Sequence, residues 1–170
     1  MASSYQGIFD NAGVLAPAAE KHKAAYQEIY KQHGHRIYSL AFWMTENEIT
    51  AKQLAANTFL RAFAGAVRPG SEQIDLAFLA EVRELMPVGA LQLRCAVTAA
   101  LPSIKGNVKR IHLERAVSQV PPTERLIFLL HDVESYQHER IAHLLGISET
   151  ESRFGLCQAR VQIRELVARM

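Results

Sequence analysis

Apolar positions recur at three- and four-residue steps along most of the chain, and no stretch shows the two-residue alternation of a strand. "AAEKHKAAYQEIYKQH", from about Ala18 to His33, predicts a helix with Ala25, Tyr26 and Ile29 on one face. Residues 1–15 read as a loose lead-in, and Gly34 is expected to bend or break the helix. "RIYSLAFWM" continues with Ile37, Leu40, Ala41 and Met44 at helical spacing, and Trp43 is expected in the core. In "TENE", Thr45 with Glu48 three residues on has the form of a capping box. "AKQLAANTFLRAFAGAV" carries Leu54, Thr58, Phe59 and Ala62 as a stripe, and "RPGS" at 68–71 stops it. "EQIDLAFLAEVREL" sets Ile74, Phe78, Val82 and Leu85 on one face before Pro87 and Gly89 end it.

The second half follows the same period. "ALQLRCAVTAALPSIKGNVKR" predicts a helix up to Leu101, broken by Pro102 and Gly106, so residues 90–112 are taken as a connector. Pro121-Pro122-Thr123-Glu124 opens a helix with proline near its first position. "RLIFLLHDV" reads as buried helix, "ESYQ" as a turn and "HERIAHLL" as a short helix. Gly146-Ile147-Ser148 is a tight turn, with Gly146 suited to a left-handed residue and Ser148 to an N-cap. A long helix follows, with Ser152, Leu156, Ala159, Ile163 and Leu166 as its inner stripe. The expected fold class is all-α: two small helical domains, residues 1–89 and 113–170, joined by the connector.

Composition narrows the function. With 170 residues, 49% hydrophobic and 21% charged, the chain can build a packed core. Cys95 and Cys157 lie in helical segments, which argues against a disulfide framework and fits a cytoplasmic location. The first 22 residues lack the pattern of a secretory signal, and no window is apolar enough to span a membrane. The histidine spacings His33/His35 and His138/His143 suit no helical metal site, so no metal and no cofactor is expected. No nucleophile motif, phosphate loop or apolar carboxylate pair supports an enzyme or any catalytic residue. Residues 1–112 hold 12 Lys+Arg and 9 Asp+Glu, net +3, and residues 113–170 hold 7 and 8, net −1. The basic "KGNVKR" cluster lies in the connector.

"RIAHLLGISETESRFGLCQARVQIREL", residues 140–166, has the layout of a helix-turn-helix, whose second helix presents its N-terminal residues to base edges. Preceded by "AVSQVPPTERLIFLL", it resembles region 4 of bacterial sigma factors, in particular the extracytoplasmic-function (ECF) group. The pieces that carry the likeness are Val120, Pro121, Arg125, Phe128 and Leu130, then Ile141, Ala142, Leu145, Gly146, Ile147 and Ser148, and last "QARVQIREL". Upstream, "AYQEIYKQHGHRIYSLAFWM…TAKQLAANTFLRAF" resembles sigma region 2, and "FLAEVREL" holds the place of the element that opens the promoter −10 region.

The resemblance implies a factor that binds core RNA polymerase and directs initiation by recognising promoter DNA. It implies DNA contacts at Thr150, Glu151, Arg153, Phe154 and Gln158, of which Arg153 and Gln158 are suited to purines and Glu151 to cytosine. It implies polymerase contacts at Gln53, Leu54, Asn57 and Arg61, and an anti-sigma factor as a further partner. Charges Glu149, Glu151, Arg153 and Arg160 cancel at the start of the last helix, which motivates a second reading. That reading is a sigma-like interaction protein that binds another protein, or itself, with little DNA recognition.

Overall fold

In a computed structural model, which describes residues 12–89, 91 and 109–170, all regular structure is helical. The order is α1 (Ala12–Thr45), α2 (Glu48–Gly65), α3 (Ser71–Leu85), α4 (Arg110–Ser118), α5 (Pro122–Phe128), a π-helical segment (Leu129–Val133), α6 (His138–Leu145) and α7 (Glu149–Ala168). Most of the connector, including the helix expected up to Leu101, lies outside the described residues.

Gly34 does not interrupt α1, which runs unbroken for 34 residues, about 50 Å at the usual rise. The local cost of one glycine, ~1 kcal/mol, is outweighed by the apolar contacts on both sides of it. Ile29, Ile37, Leu40, Ala41 and Met44 all enter one core. The first turn also differs from the expectation. Asn47, rather than Thr45, caps α2, its Oδ1 accepting from the Thr50 N–H at 2.9 Å. Thr45 instead donates its hydroxyl back to the Ala41 carbonyl at 2.8 Å. α4 begins at Arg110, inside the stretch taken as connector.

α2 and α3 bury the faces their patterns mark: Leu54, Thr58, Phe59 and Ala62 on α2, and Ile74, Phe78 and Val82 on α3. Leu85 ends up exposed at the tip of α3. Tyr26 and Tyr30 of α1 lie against α2, the Tyr30 ring 5.1 Å from Phe59 and the Tyr26 ring 5.0 Å from Phe63. Arg61 joins α2 to α3 by donating to Glu81 and Glu84, both at 2.5 Å.

The apolar core does not stop at the connector. One cluster takes Leu40, Phe59, Phe78 and Leu79 from the first three helices, and Leu126, Ile127, Leu130, Ile141, Leu144 and Leu156 from the later ones. A second cluster joins Ala116, Val117 and Val120 to Ala159, Ile163 and Val167 of α7, and Trp43 and Phe128 pack on both. Arg125 closes the junction between the halves. Its guanidinium donates to the carbonyls of Met44 at 2.9 Å and Val120 at 3.0 Å, and also to that of Ser118. Burial pulls its pKa below the ordinary arginine value.

After α5 the chain widens into the π segment, where the Glu134 N–H reaches the Leu129 carbonyl at 3.0 Å. This extra residue is absent from a regular helical reading. It turns His131 and Asp132 toward α7, and Tyr136 follows toward α3.

Candidate nucleic-acid interface

The helix-turn-helix is built locally. α6 ends at Gly146 with φ 69° and ψ 35°, and the N–H groups of Gly146 and Ile147 both donate to the Ala142 carbonyl, at 2.9 and 3.1 Å. A side chain at this left-handed residue meets no neighbour, so the constraint is backbone strain alone. Gly146→Ala is therefore expected to cost about 1–2 kcal/mol and Gly146→Asn less. Equilibrium urea unfolding of the two variants checks the order.

Ser148 caps α7, its Oγ accepting from the Glu151 N–H at 3.1 Å while the Glu151 carboxylate accepts from the Ser148 N–H at 2.7 Å. These bonds hold the Glu151 carboxyl below its ordinary pKa. Buried Gly155 lets α7 approach the core. A Cβ there would sit 2.7 Å from Ile127 Cδ1 and 2.9 Å from Leu91 Cδ2.

The outward face of α7 is set by what the inner stripe leaves over. Thr150, Arg153, Phe154, Cys157, Arg160 and Arg164 are exposed. Arg153, Cys157, Arg160 and Arg164 follow one another at steps of 4, 3 and 4, one side of a helix. With His138, Leu156 and Val161 they line an open groove of about 420 Å³. Arg160 donates to both Asp132 oxygens, at 2.6 and 2.9 Å. Burial pushes the Asp132 carboxyl up, but the bonds from Arg160 and His131 outweigh it and hold the group below its ordinary value. The His131 and His138 rings stack at 4.6 Å, and the His138 imidazole lies 2.9 Å from Ser152 Oγ. Burial, then the neighbouring His131 and Arg153 charges, push the His138 pKa down.

A second exposed face lies on α2. Ile49 (70% exposed) and Leu60 (64% exposed) stand out as large apolar groups. Gln53, Ala56 and Asn57 lie between them, also exposed.

Residues 110–163 match the family described as Sigma-70, region 4. Over 180 aligned positions, 95% of this chain and 67% of the relative, the sequence is 26% identical to the ECF RNA polymerase sigma factor SigE of Mycolicibacterium smegmatis. Both likenesses are to sigma factors. Sigma factors are in general non-enzymatic. The matched stretch includes the helix-turn-helix of α6 and α7, and both likenesses favour transcription initiation over the reading as a protein-binding regulator.

The residues singled out from sequence fall into two groups. Thr150, Arg153 and Phe154 share the exposed face of α7. Gln158 does not: it lies about 140° round from Arg153 at 3.6 residues per turn and is half-buried. Glu151 lies near the same edge and is engaged in the cap. Arg160, Arg164, Cys157 and His138 complete the groove and were not singled out. For the three on α7 the signal was present in the 4-3-4 spacing, but the resemblance drew the choice toward matched positions; His138, on α6, has no such signal.

On α2, Gln53 and Asn57 are exposed, whereas Leu54 is 3% exposed and packs inward. Arg61 is exposed but held by two carboxylates of α3, where burial works against its charge less than the Glu81 bond favours it. Ile49 and Leu60 were missed because an exposed apolar residue has no distinctive sequence pattern of its own. Among the described residues there is no cluster of three or more potential metal ligands, and no helix is long and apolar enough to cross a membrane.

Proposed function

We propose that the exposed face of α2 docks on core RNA polymerase and that α7 reads the promoter −35 element, so that the chain directs transcription initiation. The carrying observation is the cationic stripe Arg153–Arg160–Arg164 on the outward side of a capped helix-turn-helix. A helix of this kind fits the major groove, where arginine pairs with guanine and with phosphate. Thr150 and Phe154, near the N-terminal end of the same face, are placed for a second contact and for a thymine methyl group. Glu151, fixed by Ser148, orients the helix start and makes no base contact. Ile49, Gln53, Asn57 and Leu60 supply the apolar and hydrogen-bonding surface for polymerase, and a protein covering that surface would act as an anti-sigma factor.

The test is run-off transcription with purified core polymerase, with promoter binding of the holoenzyme measured across salt concentrations. Arg164→Ala is expected to weaken binding and to reduce the slope of log K against log salt by about 1. It leaves the stability of the chain unchanged, since Arg164 is exposed. A core enzyme that gives no transcript with any promoter in the presence of the protein overturns the reading.

A further inference from the structure

The stacked rings of His131 and His138 have no part in the contacts proposed so far. His138 is the first residue of α6, and it lines the groove with Arg153, Cys157, Arg160 and Arg164. The His131 ring stacks on it, centroids 4.6 Å apart and planes 27° apart. His131 and Asp132 are supplied by the π segment. A widened turn of this kind is frequent at functional sites.

The two imidazoles are tied differently. His131 Nδ1 lies 2.8 Å from Asp132 Oδ1, and since a carboxylate only accepts, that nitrogen carries the hydrogen. His138 Nδ1 lies 2.9 Å from the Oγ of Ser152, which is fully buried. A hydroxyl both donates and accepts. Ser152 therefore serves the neutral ring by donating and the imidazolium by accepting, and a proton added to His138 leaves no buried group unpaired. Nε2 of His138 has no hydrogen-bond partner among the described residues. In the imidazolium it is a charged N–H at the groove.

The groups that face His138 are of mixed sign. From the π segment come His131 and, behind it, Asp132. From α7 come Glu149, Arg153 and Arg160, with Cys157 on the groove wall. Burial, and after it the charges of His131, Arg153 and Arg160, hold the His138 pKa below the ordinary histidine value, while Glu149 works the other way. An anion at Nε2 reverses this balance. Asp132 and Glu149 offset two of the three arginines that line the groove, so one more cation there is a large relative change. α6 is the first helix of the helix-turn-helix, the one that crosses the sugar–phosphate backbone while the second enters the major groove.

Resting on the function proposed above, we infer that His138 is a proton-linked contact to a DNA phosphate: on binding, the ring takes up one proton from solvent, and Nε2 donates to a backbone oxygen beside α7. The proton returns to solvent on release. His131 sets the pH at which this occurs, because two stacked rings resist carrying charge together. The affinity for DNA is constant above the pKa of the bound ring, rises as pH falls through it, and levels off below the pKa of the free ring. A phosphate contact carries no base information, so the effect is expected with any duplex.

The test titrates the full chain into a fluorescent duplex of arbitrary sequence, read by anisotropy. From about pH 8 to about pH 6, wild type is expected to gain about threefold to tenfold in affinity over His138→Gln, one proton being worth up to tenfold per pH unit. At the lower pH its slope of log K against log salt is expected to be steeper by up to about 0.9, the value of one phosphate contact. Equal pH and salt slopes in the two proteins overturn the proposal, and so does a wild type that binds no duplex at either pH.

If His138→Gln does not fold, the assigned His138 resonance of the wild-type chain decides by nuclear magnetic resonance. Duplex is expected to raise its titration midpoint, and an unmoved midpoint overturns the contact. Inorganic phosphate, at the same concentration of phosphate groups, is expected to raise it less, and an equal shift overturns the assignment to DNA. Run-off transcription is scored separately. A pH slope that depends on His138 without any transcript overturns the function alone, and a transcript without that slope overturns only this contact.

Discussion

Phe59→Ala is expected to lower the stability of the chain by about 3–5 kcal/mol, the usual cost of truncating a large buried aromatic. Phe59 is fully buried on α2, at the centre of the α1–α2–α3 packing. The ring lies 5.1 Å from Tyr30 and 6.5 Å from Tyr26 in tilted and edge-on arrangements, and each such pair adds ~0.5–1.5 kcal/mol beyond area burial. Removing it leaves a hole lined by side chains on long helices, which cannot collapse into it without bending α1. For a domain of this size the loss corresponds to a melting temperature lower by about 6–20 °C. Calorimetry of the variant checks this, and a drop under about 3 °C would mean that Phe59 is not where the core is closed. Phe59→Leu keeps much of the volume and should recover more than half of the loss.

The second large effect is expected at Arg125, and it distinguishes shape from charge. Arg125 gathers carbonyls from the end of α1 and from the α4–α5 turn, donating through Nε, Nη1 and Nη2. A lysine keeps the charge but cannot present a planar fork to carbonyls on separate segments. Arg125→Lys is therefore expected to cost about 2–4 kcal/mol, because part-buried carbonyls are left without donors at ~1–3 kcal/mol each. Arg125→Met, with no charge to bury, should cost a similar amount. Urea unfolding of the pair is decisive: if Lys restores wild-type stability while Met does not, the side chain acts as a point charge and the fork is incidental. Either variant is also expected to loosen the α1–α4 junction near Trp43, which intrinsic tryptophan fluorescence reads directly.

Much of the fold was legible because it is written within four residues. The left-handed Gly146, the Ser148 cap with Glu151, the proline start of α5 and the stripes of α2, α3 and α7 all depend on near neighbours. The errors have physical causes of the same locality. Gly34 looked like a break because its contacts across the bundle are invisible in sequence, and Thr45 looked like a cap because Asn47 two residues on offers the same chemistry. The π segment was not legible, since one inserted residue shifts the period without changing the composition.

The candidate interface divides in the same way. Thr150, Arg153 and Phe154 were found from the sequence and do share a face. Arg160 and Arg164 were passed over, although the helical period alone aligns them with Arg153. Leu54 and Gln158 were chosen from matched positions, and the packing turns one into the core and the other half inward.

By itself, then, the sequence determined the helices, the turn that makes the helix-turn-helix and the family that it resembles. Only the tertiary structure decided that Gly155 exists to let Ile127 close in, and that Asp75 meets Tyr136 and Arg140 across 61 and 65 residues. Periodicity states which residues lie together on a surface. Which surfaces meet depends on the complementarity of two faces, and that is a property of neither segment alone.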